Sequence, residues 1–142
     1  MGSRSPHVVA ERLVAEAPDR AWLRALVDEL DGRLRTDPLE RLLALWGLSA
    51  SEAAMAFGVT RQAVSKWRQS GVPADRTPAL MDLAAATDEL DRRVKRERIP
   101  AVVRRAAPDL GGQSLLELAY EGRHAEVREA VARTFDLRRV QA

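Results

Sequence analysis

The segment "LSASEAAMAFGVTRQAVSKWRQSG", Leu48 to Gly71, sets a glycine between two short runs of helical spacing. Ser49 and Glu52 stand three apart, the spacing of a capping box, at the head of "SASEAAMAF". Thr60 can cap "RQAVSKWRQS", which stops at Gly71. Gly58 supplies the positive φ that a tight turn between two helices needs. Apolar positions surround that turn: Ala53, Ala54 and Phe57 before it, Val59 in it, Val64 and Trp67 after it. Two short helices that cross require this set, with a small side chain (Ala54) where they approach and larger ones locking the second helix across the first. The chain has only two phenylalanines and one tyrosine. A tryptophan between Lys66 and Arg68 is therefore expected to face inward and pin its helix.

Over about twenty consecutive positions this segment resembles the helix-turn-helix of the Xre/Cro repressor family. The resemblance implies a second helix that lies in the DNA major groove. Its N-terminal residues meet base edges there, so Arg61, Gln62 and Ser65 are the candidate readers. Arginine can pair with guanine through two hydrogen bonds, and glutamine with adenine. Lys66 and Arg68 are better placed for phosphates, which orient a protein without reading sequence, and Thr60 could donate to a phosphate as well. One such module makes few contacts, so a homodimer on a two-fold double-stranded operator is expected.

The rest of the chain repeats helix starts and stops. "MGSRSP" reads as an unstructured start, and "HVVAERLVAEA" has helical spacing up to Pro18. A new helix from Pro18 puts Trp22, Leu23, Leu26, Val27, Leu30 and Leu34 on one face. That stripe is either a dimer surface or packing within the monomer. "DPLERLLALWG" reads as a separate helix, with Asp37 as cap, Pro38 in the first turn, Glu40 closing a capping box and Gly47 as terminator. Thr77 and Pro78 open a long helix whose Leu80, Leu83, Ala84, Thr87, Leu90 and Val94 share a face, and which Pro100 interrupts. No segment alternates with the period of a strand. The expected class is all-α: an N-terminal helical extension (1–36), a helix-turn-helix region (37–98) and a small helical C-terminal domain (99–142).

Composition narrows the chemistry. The 142 residues are 46% hydrophobic and 31% charged, enough chain to bury roughly 68–70% of its unfolded surface. There is no cysteine, and the two histidines, His7 and His124, offer little to a metal or a catalytic base. No apolar run has the length of a membrane span and no signal-peptide core stands at the start, so a cytoplasmic protein is expected. No nucleophile–base arrangement or phosphate-cradling loop has a convincing setting, so neither enzyme activity nor a cofactor or metal is expected. Net charge is +2, but it is unevenly spread. Residues 58–76 carry four basic side chains against one acidic, and residues 91–105 seven against two. Such clustering is the footprint of a polyanion binder, or of a helix face with local ion pairs.

"IPAVVRRAAPDLGGQSLLELAYEGRHAEVREAVARTFD", Ile99 to Asp136, is too organised for a tail. Leu110-Gly111-Gly112, Ser114, Leu118, Gly122 and Val127 predict a tight turn, a short helix, a second turn and a final helix. Together with the repressor-like half, this pattern resembles the antitoxins of the Xre/MbcA/ParS type over roughly residues 40–136. A leucine stands where many members have proline, and the family core leaves the segment before Leu39 unexplained. The resemblance implies a partner, a RES-domain toxin that consumes NAD or transfers ADP-ribose, whose active-site cleft the antitoxin's C-terminal region covers. The residues that would serve are Phe135, Leu137, Arg138 and Arg139. It also implies autorepression of the operon through the helix-turn-helix. The alternative is a stand-alone Xre-like repressor whose C-terminal domain only dimerises.

Overall fold

The computed structural model describes residues 19–141, excepting the side chains of 30–37 and 137–141. The expected helix before Pro18 and the unstructured start lie outside the described residues, as do the side chains of Leu30 and Leu34. The described residues form seven α-helices and no strand, so the chain is all-α. They are α1 (Arg20–Trp46), α2 (Ala50–Phe57), α3 (Arg61–Ser70), α4 (Thr77–Arg93), α5 (Ile99–Arg104), α6 (Leu115–Tyr120) and α7 (His124–Gln141). Single 3-10 turns occur at Ala74–Arg76, Arg96–Arg98 and Pro108–Leu110.

The chain divides into two compact units, residues 1–34 and 35–142. In the first, the Asp19 carboxylate accepts the Trp22 amide at 2.7 Å, a side-chain cap of the kind that satisfies an orphan N–H. Trp22 is 41% exposed and Val27 53%, with Leu23 and Leu26 half-buried.

In the second unit, one core runs from the end of α1 to α7. Leu39, Leu42 and Trp46, at helical spacing, are fully buried. Phe57, Trp67, Leu80, Leu83, Leu90, Ile99, Val103, Leu116, Leu118, Val127 and Val131 join them in the same cluster. α4 and α7 pack along each other, and α6 packs on both α2 and α7. The core therefore crosses residues 98–99 without a break.

Two boundaries differ from the sequence expectation. No helix starts at Asp37, since α1 runs through it with Pro38 inside. An interior proline costs about 3 kcal/mol, and full burial of a leucine-sized side chain returns about 1.5–3 kcal/mol. With Leu39, Leu42 and Trp46 all buried just beyond it, tertiary packing outweighs the proline.

Pro100 does not interrupt a long helix either. α4 stops at Arg93, where Val94 turns extended (φ −125°, ψ 142°). Pro100 instead sits in the first turn of α5, where its missing N–H is no loss. Asp91 secures the break by accepting from Arg96 at 2.8 and 3.1 Å and from Arg41 at 2.7 Å.

Candidate nucleic-acid interface

α2 and α3 are built as their sequence suggests. Ser49 Oγ accepts the Glu52 amide at 3.1 Å while Glu52 Oε1 accepts the Ser49 amide at 3.0 Å, so both halves of the capping box are present. Gly58 takes the left-handed conformation (φ 64°, ψ 37°), and its N–H closes the end of α2. Thr60 Oγ1 accepts the Ala63 amide at 3.1 Å and starts α3. Ala53, Ala54 and Val64 form a small cluster of their own between the two helices. Trp67 is 5% exposed, with the Phe57 ring edge-on to it at 5.5 Å. The indole is tucked under α3.

That burial fixes which face of α3 meets solvent. Arg61, Gln62, Ser65, Lys66 and Gln69 are all exposed, as is the cap Thr60. Arg61 and Lys66 have no acidic partner among the described residues. Arg68 is different. Its Nε and Nη2 donate to the two Glu40 carboxylate oxygens at 2.5 and 3.1 Å. Glu40 therefore does not close a capping box, because the helix start it was to close does not exist. A cleft of about 400 Å³ opens here, lined by Glu40, Leu43, Ser49, Arg61, Ser65 and Arg68 among others.

Side chains from later in the chain hold α1 and α2 by their C-terminal carbonyls. Arg104 donates to Trp46 O at 2.7 Å, to Gly47 O at 2.9 Å and to the Glu52 carboxylate at 3.0 Å. Arg76 donates to Phe57 O at 3.1 Å. His124 Nε2 donates to Ala56 O at 2.6 Å, and its ring stacks on Phe57 at 6.0 Å. Cationic and donor groups belong at helix C-termini, where carbonyls are unpaired and the helix dipole is negative. The Ser49 amide first, and then Arg104, hold the Glu52 carboxyl below its usual range. Sequence reasoning missed the contacts of Arg76, Arg104 and His124, since each joins residues 19 to 68 positions apart.

The basic run at 91–105 is largely spent within the chain. Arg92 and Arg93 pair with Glu89, Arg96 with Asp91 and Arg104 with Glu52. Lys95, Arg98 and Arg105 have no acidic partner among the described residues.

The C-terminal pattern folds as turn, helix, turn, helix. Gly111, Gly112 and Gly122 all have positive φ, and the buried Ser114 accepts the Glu117 amide to start α6. Arg123 bridges Gln113, Glu121 and Glu126 around the second turn. A half-open cleft of about 300 Å³ lies among Leu90, Val102, Leu110, Leu115, Val131 and Phe135, with Arg105 and Asp109 also in its lining. Phe135 is 8% exposed and belongs to the chain's own core, with the Arg93 guanidinium 5.9 Å from its ring. Most of its area is thus already covered by its own chain. Leu137, Arg138 and Arg139 continue α7, but their side chains lie outside the described residues. No cluster of three or more His, Asp or Glu side chains suited to a metal occurs among the described residues. No described helix is long and apolar enough to cross a membrane.

This arrangement of helices has a solved counterpart. A chain of the M. tuberculosis MbcT–MbcA toxin–antitoxin complex matches it with a TM-score of 0.57, over 68% of this chain and 89% of that one. The two are 16% identical, so what they share is the fold. No protein-family model matches the sequence, and no curated protein matches it.

Proposed function

We propose that this protein is the antitoxin of a type II toxin–antitoxin pair, neutralising a RES-domain, NAD-consuming toxin and repressing its own operon through α2 and α3. The observation that carries the DNA half is the division of α3. Val64 and Trp67 are buried, while Arg61, Gln62, Ser65 and Lys66 are exposed together on the opposite side. Thr60 and Arg68 flank that face. A second helix with these side chains outward can present a guanidinium and an amide to base edges and an ammonium to phosphate. Likeness in fold to a chain of a toxin–antitoxin complex supports the toxin half. In this reading the protein has no catalytic role. Its C-terminal region, with Leu137, Arg138 and Arg139 as its foremost residues, covers the toxin's cleft. The exposed Trp22 and Val27 offer a surface for homodimer formation.

Co-expression with the neighbouring gene product, followed by mass measurement of the purified material, tests the toxin half. A stable complex is expected, and a protein that purifies alone rejects it. Gel shift on the DNA upstream of the operon tests the other half, and no retardation at low salt rejects that. The burial of Phe135 favours a second reading, a stand-alone repressor whose C-terminal helices serve its own core and its dimer.

A further inference from the structure

Arg68 and Glu40 form a bidentate pair across two helices, and its placement is unusual for the face it occupies. Arg68 is on α3, the helix that carries Arg61 and Ser65, and the same cleft is lined by all three and by Glu40. Arg61 and Lys66 point to solvent with no carboxylate partner among the described residues, whereas Arg68 is neutralised. Glu40 cannot follow α3 away from its place, because its backbone is anchored by Leu39 and Leu42, both fully buried. The two side chains are themselves 54% and 45% exposed. An ion pair that open to water holds its members weakly, so a phosphate can compete for the guanidinium. A phosphate arriving there meets a carboxylate that stays behind.

From this geometry we propose that Glu40 limits how tightly α3 grips DNA, by competing with backbone phosphate for the Arg68 guanidinium. The inference rests on the reading of α3 as a DNA-binding helix and assigns Glu40 a role that reading does not include. The competition is sequence-independent, since phosphate and carboxylate present the same fork of oxygens to arginine. It therefore acts on all duplexes alike.

The test uses the full chain and a mixed-sequence duplex of about 30 base pairs, titrated across a salt series. Glu40→Gln is expected to tighten binding about five-fold and to steepen the slope of log K against log salt by about 0.9, the increment for one more phosphate neutralised. In an Arg68→Gln background the same Glu40→Gln change should leave the slope where it was. Thermal unfolding of each variant separates this from a merely structural pair. If Glu40→Gln lowers Tm and weakens binding, the pair is a brace and the inference fails. It also fails if the slope does not change, or if the gain is equal in both backgrounds, which would mean diffuse repulsion. Wild-type protein that retains no duplex even at low salt removes the DNA reading itself, and the role of Glu40 with it.

Discussion

Removing the indole at position 67 leaves a void against Phe57 that neighbours already packed at 5.5 Å cannot close. Trp67→Ala should therefore cost about 3–5 kcal/mol in urea unfolding followed by circular dichroism. Under the proposed DNA-binding role of α3, the effects expected on the opposite face are on binding alone. Arg61→Ala and Gln62→Ala should each lose about 1–3 kcal/mol on the preferred duplex and little on other sequences. Lys66→Ala should weaken all duplexes equally and reduce the salt slope by about 0.9. The inward set of α2 and α3 was legible because helical period, small residue and glycine coincide within one short segment. His124 was not. In sequence it offered little to a metal or a catalytic base, and its partner, Ala56 O, is 68 positions away. Nothing local to either residue announces that bond.

Among the elements, the turn at Gly58 and the cap at Glu52 make separable predictions. A Cβ on Gly58 would meet nothing within 4 Å, so Gly58→Ala strains only the backbone. At φ 64° the expected cost is about 1–2 kcal/mol, with a smaller one for Gly58→Asn, readable as a shift in Tm. Glu52 both completes the cap on α2 and meets Arg104. Glutamine can keep the cap but not the charge. Glu52→Gln should thus cost about 0.5–1 kcal/mol at pH 7 and Glu52→Ala more. The folded carboxyl titrates below its usual value. Its contribution is complete above the ordinary glutamate range, about pH 4.3, and is lost as pH falls through the lower folded value. Unfolding of Glu52→Gln and wild type as a function of pH should converge on the acid side. The elements misread from sequence, at Pro38 and Pro100, share one cause. Proline marks either a helix interior that packing overrides or a helix start, and only burial distinguishes them.

At the scale of the molecule, the C-terminal helices are part of the core that supports α2 and α3. Ile99, Val103, Leu118 and Val127 are buried in the same cluster as Trp46, Phe57 and Trp67. A chain ended at residue 98 would lose these and the clamps from Arg104 and His124 at once. It should show no cooperative unfolding transition, whereas two independently folding parts would give a truncated chain that melts sharply. Sequence supplied the order of helices in this region, and the resemblance only implied a partner. Neither revealed that the two halves share one interior, because that depends on long-range packing of α4 against α7.

The three tryptophans also make the protein its own optical reporter. Trp46 and Trp67 are enclosed, while Trp22 is partly open to water. Acrylamide should quench a single component of the emission, the red-shifted one, and leave a blue-shifted remainder. A Trp22→Phe chain would then emit only from residues 46 and 67, so its fluorescence would follow the second unit alone, without any attached dye.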